Sequence, residues 1–258
     1  PTDYFNTVLY TGNGSSQTLT MDNVGLLWMK RRDSSIRHCL FDSVRGGHYT
    51  GSGDPPLLVS DSSAASQGTD IDSAAKGITF GTTQTVIGND ASGYSYNTSG
   101  HSMVGWQWSA GGSASSNTDG SITSTVSANT TSGFSIVSWT GNGSNGATIG
   151  HGLGATPAII INKRRDGTGD WLVGGSTVDT VRGGANSLLL LNGTNAMDSN
   201  SEVYQTFSST TFQVGVNVYA NTNNATMISY CFAEKKGYSK FGSYTGNGNA
   251  DGTFVYTG

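Results

Sequence analysis

The sequence predicts an all-β fold of tandem antiparallel β-sandwiches of jelly-roll type. Three observations predict it: a composition poor in charge and rich in turn formers, short alternating stretches that end in Asn-Gly, and an internal repeat.

Charged residues make up 12% of the 258 residues, while glycine occurs 38 times and proline 4 times. About a quarter charged is usual for a soluble domain. Low charge with abundant Gly, Ser, Thr and Asn suits short strands joined by many turns. Disorder needs high net charge and few aromatics. Here the net charge is −4 and aromatics are 10%, so the chain is expected to fold.

Tyr10-Thr11-Gly12-Asn13-Gly14 recurs as Trp139-Thr140-Gly141-Asn142-Gly143 and again as Tyr244-Thr245-Gly246-Asn247-Gly248. Each copy follows an alternating stretch, at Phe5–Leu9, Phe134–Val137 and Tyr238–Phe241. Alternation marks a strand with one face in a core, and Asn-Gly marks a tight hairpin turn with positive φ. Further landmarks match in the same order. Leu26 to Asp33, ending in Lys30-Arg31-Arg32-Asp33, parallels Ile159 to Asp166, ending in Lys163-Arg164-Arg165-Asp166. Val44-Arg45-Gly46-Gly47 parallels Val181-Arg182-Gly183-Gly184, and Leu57-Leu58-Val59 parallels Leu189-Leu190-Leu191. Phe80 parallels Phe207, and Ile87-Gly88 parallels Val214-Gly215. Val104-Gly105-Trp106-Gln107-Trp108 parallels Ile228-Ser229-Tyr230-Cys231-Phe232. A conserved order of this kind is a tandem duplication.

The repeat divides the chain. Residues 1–112 form a first sandwich, 113–129 a linker, 130–236 a second sandwich, and 237–258 the opening hairpin of a third copy. The Ser/Gly/Asn-rich stretch 111–120 reads as a flexible connector. The third copy's hairpin is expected to pack back on the second unit. The start at Pro1 reads as processing, or as a piece of a longer array. Residues 60–76 are the one helical candidate, interrupted at Gly68 and Thr69. Val104, Trp106 and Trp108 share one strand face, as do Ile228, Tyr230 and Phe232, and are expected to fill the core of their own unit. An exposed sugar-stacking platform of Trp106 and Trp108 is the alternative.

Composition and motifs also exclude function classes. The pI near 5.4 and the absence of a basic face argue against nucleic acid. The longest aliphatic runs, Ala158–Ile161 and Leu188–Leu191, are too short to enter a membrane as a span. Cys39 and Cys231 sit at unrelated repeat positions and are read as buried free thiols. The spaced glycines at 141–146 precede a Gly/Pro-containing stretch, not the helix a dinucleotide site requires. Gly100-His101-Ser102-Met103-Val104 lacks the final glycine of a nucleophile elbow. Asp70 and Asp72 share a strand face and form the nearest carboxylate pair, without the pocket that glycoside hydrolysis needs. The four histidines have no metal-ligand spacing. No enzyme activity, cofactor or metal site is expected.

Several stretches resemble a repeated domain of tail-fibre and virion structural proteins of marine bacteriophages, including cyanophages. They are Asp3-Tyr4-Phe5-Asn6-Thr7-Val8, residues 120–129, Gly133-Phe134-Ser135-Ile136-Val137, His151-Gly152-Leu153-Gly154 with Pro157, Tyr230-Cys231-Phe232-Ala233-Glu234, and Gly237-Tyr238-Ser239-Lys240-Phe241. The resemblance spans nearly the whole chain. It implies a structural role in a virion and a lectin-like, concanavalin-type sandwich. It also implies other virion proteins as partners, a homo-oligomer with the trimer favoured, and surface glycans as ligands. The family's residues carry no activity to transfer. Unit one departs from the pattern: Met21-Asp22-Asn23-Val24-Gly25 stands where unit two has residues 151–157. His151 is therefore unmatched and is read as a turn residue whose ring bonds a nearby carbonyl.

The best repeated polar feature is the Lys-Arg-Arg-Asp motif. Its structural reading is a bidentate Arg–Asp pair bracing a strand end. Its functional reading is recognition of anionic glycans or lipopolysaccharide phosphates by Arg32, Asp33, Arg165 and Asp166, with Asp170 beside them and Trp171 as a stacking face. The loop 165–171 also offers Asp166 and Asp170 as calcium ligands, although a solvated turn is the simpler reading. His38 takes the place of Trp171 in unit one. The expected role is a fibre component that attaches through weak repeated contacts. A capsid-surface decoration or pure scaffold is the alternative, and a glycan depolymerase the third reading.

Overall fold

A computed structural model describes residues 4–21, 24–90 and 93–256. Asp3 of the phage-like stretch, Asp22 and Asn23 of the unit-one departure, and the last two residues of the third copy lie outside them. The described chain is almost all β, with antiparallel pairing throughout its named strands. No helix among the described residues is long and apolar enough to cross a membrane.

The first unit has eight strands: β1 (Phe5–Thr11), β2 (Gln17–Leu19), β3 (Gly25–Arg31), β4 (His38–Asp42), β5 (Leu58–Val59), β6 (Ile78–Phe80), β7 (Thr85–Ile87) and β8 (Ser102–Ser109). They form a five-stranded sheet ordered β1-β8-β3-β4-β5 and a three-stranded sheet ordered β2-β7-β6. Next come β9 (Ser115–Asn117), β10 (Ser124–Asn129), β11 (Phe134–Thr140), β12 (Ala147–Gly150), β13 (Ile159–Arg164) and β14 (Leu172–Gly174). The helix α1 (Ser176–Arg182) precedes β15 (Ser187–Leu190), β16 (Asp198–Ser199), β17 (Tyr204–Phe207), β18 (Thr211–Val214) and β19 (Thr226–Phe232). Here the large sheet runs β16-β15-β14-β13-β19-β11-β10-β9 and the small one β12-β18-β17. Setting aside β9, β10 and β16, the two units have the same strand order in both sheets.

Three expectations are corrected. Residues 113–129 are not a linker: they supply β9 and β10, which extend the second large sheet beyond β11. The Ser127 hydroxyl donates to Gly112 O at 2.7 Å, and a Cβ on Gly111 would lie 2.1 Å from Ala128 O, so this connector is tightly seated. Residues 60–76 form turns and no helix, because Ser66 N–H and Lys163 are tied to loops of the opposite unit. Residues 237–256 contain no strand. In the matching segments, β1 and β11 become strands by pairing with β8 and β19. Residues 239–245 have no such partner among the described residues.

The Thr-Gly-Asn-Gly corner is not a hairpin either. It carries the chain from the large sheet to the small one, β1 to β2 and β11 to β12. Gly14 and Gly143 adopt φ of +69° and +67°, the left-handed region that Asn-Gly favours. Locally, Asn13 Oδ1 accepts from Ser15 N at 2.9 Å, and Asn142 Oδ1 from Ser144 N at 2.9 Å. Each corner then seats on a fully buried asparagine. Asn97 Nδ2 donates to Ser15 O and Gly88 O at 2.6 and 2.8 Å. Asn221 Nδ2 donates to the equivalent Ser144 O and Gly215 O at 2.9 and 3.1 Å. A Cβ on Gly12 or Gly141 would meet Thr98 O or Thr222 O at 2.2 Å, so only glycine fits.

The largest correction concerns the aromatic faces. The paired faces of β8 and β19 point away from their own small sheets. Trp108, Ile228, Tyr230 and Phe232 join Leu26, Trp28, Leu40, Leu58, Phe134, Ile136 and Trp171 in one cluster between the two large sheets. The faces that look smaller in sequence fill the unit cores. Gln107 donates to Thr85 at 2.9 Å, while Ser229 accepts from Trp139 and donates to Asn162. Cys39 and Cys231 are free thiols buried in these two cores. The molecule is therefore layered small sheet, large sheet, large sheet, small sheet, and both large sheets are covered on both faces.

A buried polar group pins the central interface. Arg45 Nε pairs with Asp42 Oδ2 at 2.5 Å, and the Tyr230 hydroxyl of the other unit donates to the same oxygen at 2.8 Å. Arg45 also donates to Pro56 O at 2.6 Å. Breaking a hydrogen bond to a buried charge costs about 1.5–3 kcal/mol. Tyr230→Phe is expected to lower stability by that amount in urea titration. Because the interface is as apolar as a core, both units should still unfold in one transition. Two resolved transitions by tryptophan fluorescence would contradict a shared core.

Candidate functional site

The six residues that the sequence singles out divide into two groups. In unit one, β3 ends in the motif at the sheet surface. Arg31 Nε pairs with Asp33 Oδ1 at 2.5 Å, and Asp33 Oδ2 accepts from Ser102 N at 3.2 Å. His101 Nδ1 lies 2.7 Å from the Arg31 guanidinium and 3.1 Å from Asp33 Oδ2. The guanidinium hydrogen bond holds the Asp33 carboxyl well below the usual carboxylate range. Arg32 is exposed and has no ion pair among the described residues. The bracing pair thus uses the first arginine, through one nitrogen, and leaves the second free.

Unit two repeats the brace and then diverges. Arg164 Nε pairs with Asp166 Oδ1 at 2.8 Å. Arg165 reaches across to unit one, where it pairs with Asp54 Oδ2 at 2.7 Å; Thr226 donates to the same oxygen. Asp170 accepts from Asn192 Nδ2 at 2.8 Å, and Asn192 Oδ1 accepts from Trp171 N at 2.8 Å. Trp171 is 0% exposed. Its Nε1 donates to Val59 O of unit one at 2.9 Å, and its ring stacks on Tyr230. It has no face to offer a sugar, so the stacking role is corrected to a structural one. The physical reason is that the strand end faces the opposite unit and not solvent. Among the described residues no contact joins Arg32 and Asp33 to this group, and no three His, Cys, Asp or Glu side chains converge as a metal site.

Lys163 shows the same diversion. It is 0% exposed, and its Nζ donates to Ser63 O of unit one at 2.9 Å and to Gly169 O at 2.5 Å. Burial lowers its pKa to about 8, against a weaker opposing pull from Asp170. His151 is also fully buried: Nδ1 accepts from Leu153 N at 3.2 Å and Nε2 faces Ser208 O at 3.3 Å. Burial depresses its pKa and favours the neutral ring. Asp72 pairs with Lys76 at 3.3 Å in a turn, so the strand-face carboxylate pair does not form.

One concave surface was not foreseen. Where the two large sheets splay apart, a cleft of about 1270 Å³ has a floor of Phe5, Trp28, Trp108, Phe134, Ile161 and Phe232. Residues 234–241 form one wall and bring Lys235, Lys236 and Lys240 to its rim. The floor is assembled from six strands of both units, so no single segment reveals it. Asn97, Asn221, Asp42, Arg45 and Asp54 were likewise missed. For the asparagines a signal existed, since each opens an Asn-Thr pair five positions ahead of β8 or β19.

Two outcomes follow from this geometry. Trp171→Ala removes a buried indole between the units and is expected to cost about 3–5 kcal/mol in urea unfolding. For Lys163, the folded pKa lies below the ordinary 10.5, so the unfolded state binds more protons between about pH 8 and 10.5. Stability from this group must then rise as pH climbs through that window. The difference in unfolding free energy between wild type and Lys163→Met should grow there by on the order of 2 kcal/mol. Taking the difference cancels the opposing titration of the buried thiols.

Comparison with curated proteins finds no match, and comparison with solved structures finds none. A family model does match, over residues 1–258, and the chain belongs to that family, described as a domain of unknown function (DUF7483).

Proposed function

We propose that the chain is a structural module of a phage virion, a tail fibre or similar appendage, made of tandem β-sandwich repeats that attach weakly to host-surface glycans. The observation that carries the structural half is the shared strand order of the two units, packed back to back through a core-like interface. Such a body holds repeated surface loops at a fixed spacing, which suits attachment by many weak contacts at once. The low charge and turn-rich composition are consistent with an extracellular particle, and the sequence resemblance supplies the virion.

The adhesive half rests on fewer residues than the sequence suggested. Arg32, Asp33 and Asp166 are at the surface, while Arg165, Asp170 and Trp171 are engaged within the protein. This internal engagement favours a second reading, a scaffold or capsid-surface decoration without a host ligand. A glycan array probed with the chain displayed multivalently separates the two. Adhesion predicts binding that appears only on multivalent display, gains about 10²–10⁴ over the single chain, and falls with Arg32→Ala. Silence at every valency would leave the scaffold. Release of reducing ends from host polysaccharide would replace both with a depolymerase.

A further inference from the structure

We infer that Trp28 and His38 form a proton-operated latch on the junction face of unit one: the neutral imidazole holds the Trp28 indole, and acidification turns the ring away to Asp61. The inference stands apart from the virion reading and from any host ligand.

The two residues lie on paired strands. β3 and β4 run antiparallel, with Lys30 opposite His38 and Trp28 opposite Leu40. Side chains alternate along a strand, so Trp28 shares a face with Leu26, and His38 shares a face with Leu40. Leu26 and Leu40 lie in the cluster between the two large sheets, and Trp28 packs against that cluster. The latch therefore sits where the units meet. Unit two has no equivalent, because Ile161 and the buried Trp171 stand at the matching positions.

The hydrogen bond fixes the protonation state. Trp28 Nε1 donates to His38 Nδ1 at 2.9 Å, with the rings edge-on at 5.9 Å and 82°. An indole nitrogen can only donate, and an imidazole nitrogen accepts only while it is unprotonated. His38 must then be neutral, with its proton on Nε2. A second proton, on Nδ1, sets two N–H groups against each other and breaks the bond.

A new partner for the charged ring is close. Asp61 Oδ1 accepts from the His38 backbone N at 3.1 Å. Its carboxylate is half exposed and makes only a long contact with Arg37, at 3.6 Å. From β3, Lys30 faces the ring, with its Nζ donating to Arg31 O and Ser34 O at 2.7 and 2.8 Å. The imidazole thus has two positions, one for each charge state. Burial, reinforced by the Lys30 ammonium, holds the His38 pKa below its ordinary 6.5, against the pull of Asp61. The unfolded chain therefore binds more protons just below that pH. Stability from this group is complete above pH 6.5 and is lost as the pH falls below it.

NMR of the isotope-labelled full chain, followed across the ordinary histidine range from about pH 8 to 5, tests this. The Trp28 indole N–H, assigned by its loss in Trp28→Phe, is expected to shift upfield in one step. Its midpoint should lie below 6.5 and coincide with that of the His38 ring. His38→Gln keeps an acceptor that does not titrate, so the step should vanish. The wild-type urea midpoint should fall relative to that variant as the pH drops. Asp61→Asn removes the second partner and should move the His38 midpoint lower. An indole resonance that stays fixed while His38 titrates would overturn the inference. So would a step that persists in His38→Gln, or a His38 midpoint untouched by Asp61→Asn.

Discussion

Everything in this molecule depends on how the two large sheets bury their outward faces against each other. A sheet covered on one face only leaves the other to water, and its strands alternate accordingly. Here both central sheets are covered twice, once by a small sheet and once by the neighbouring unit. The larger, more aromatic face goes to the junction, and the unit cores accept small and polar residues such as Gly105, Gln107, Ser229 and Cys231. Neither unit can present its β8 or β19 face to solvent without exposing Trp108, Tyr230 and Phe232. Each unit therefore covers the aromatic face of the other.

That junction also explains where the charged residues went. In a chain with so few charges, Lys163, Arg165, Arg45 and Asp42 are buried or nearly so, and each bridges the units or orders the loops beside the bridge. Buried charge without partners is costly, and hydrogen bonding to backbone carbonyls and carboxylates offsets that cost. Such groups specify one relative placement of the sheets, because apolar surfaces alone could slide. The same residues are for that reason poor candidates for a ligand. The motif pair Arg31–Asp33 and Arg164–Asp166 remains a strand-end brace in both units, while the second arginine is free in one and captured in the other.

The repeated corner joins the two levels of order. Its local half is an Asx turn with a left-handed glycine, set by four residues and present in all three copies. Its tertiary half is a buried asparagine from far along the chain, Asn97 for the first corner and Asn221 for the second.

The sequence by itself determined the all-β class, the left-handed glycines and the burial of both thiols, because period, turn chemistry and composition are local properties. It also made the face of each strand readable, since side chains alternate. What it did not contain was which face met which layer. Val104, Trp106 and Trp108 read as a unit core, whereas Trp108 lies in the cluster between the two large sheets with Ile228, Tyr230 and Phe232. The stretch 113–129 read as a linker because Ser, Gly and Asn resemble a flexible connector, whereas the open side of β11 drew it into the sheet. Trp171 read as a surface platform because it follows a polar loop, whereas the opposite unit closes over it. For Trp108 and Trp171 the deciding partner lies scores of residues away, and complementarity at that distance is a property of the assembled layers and not of any segment.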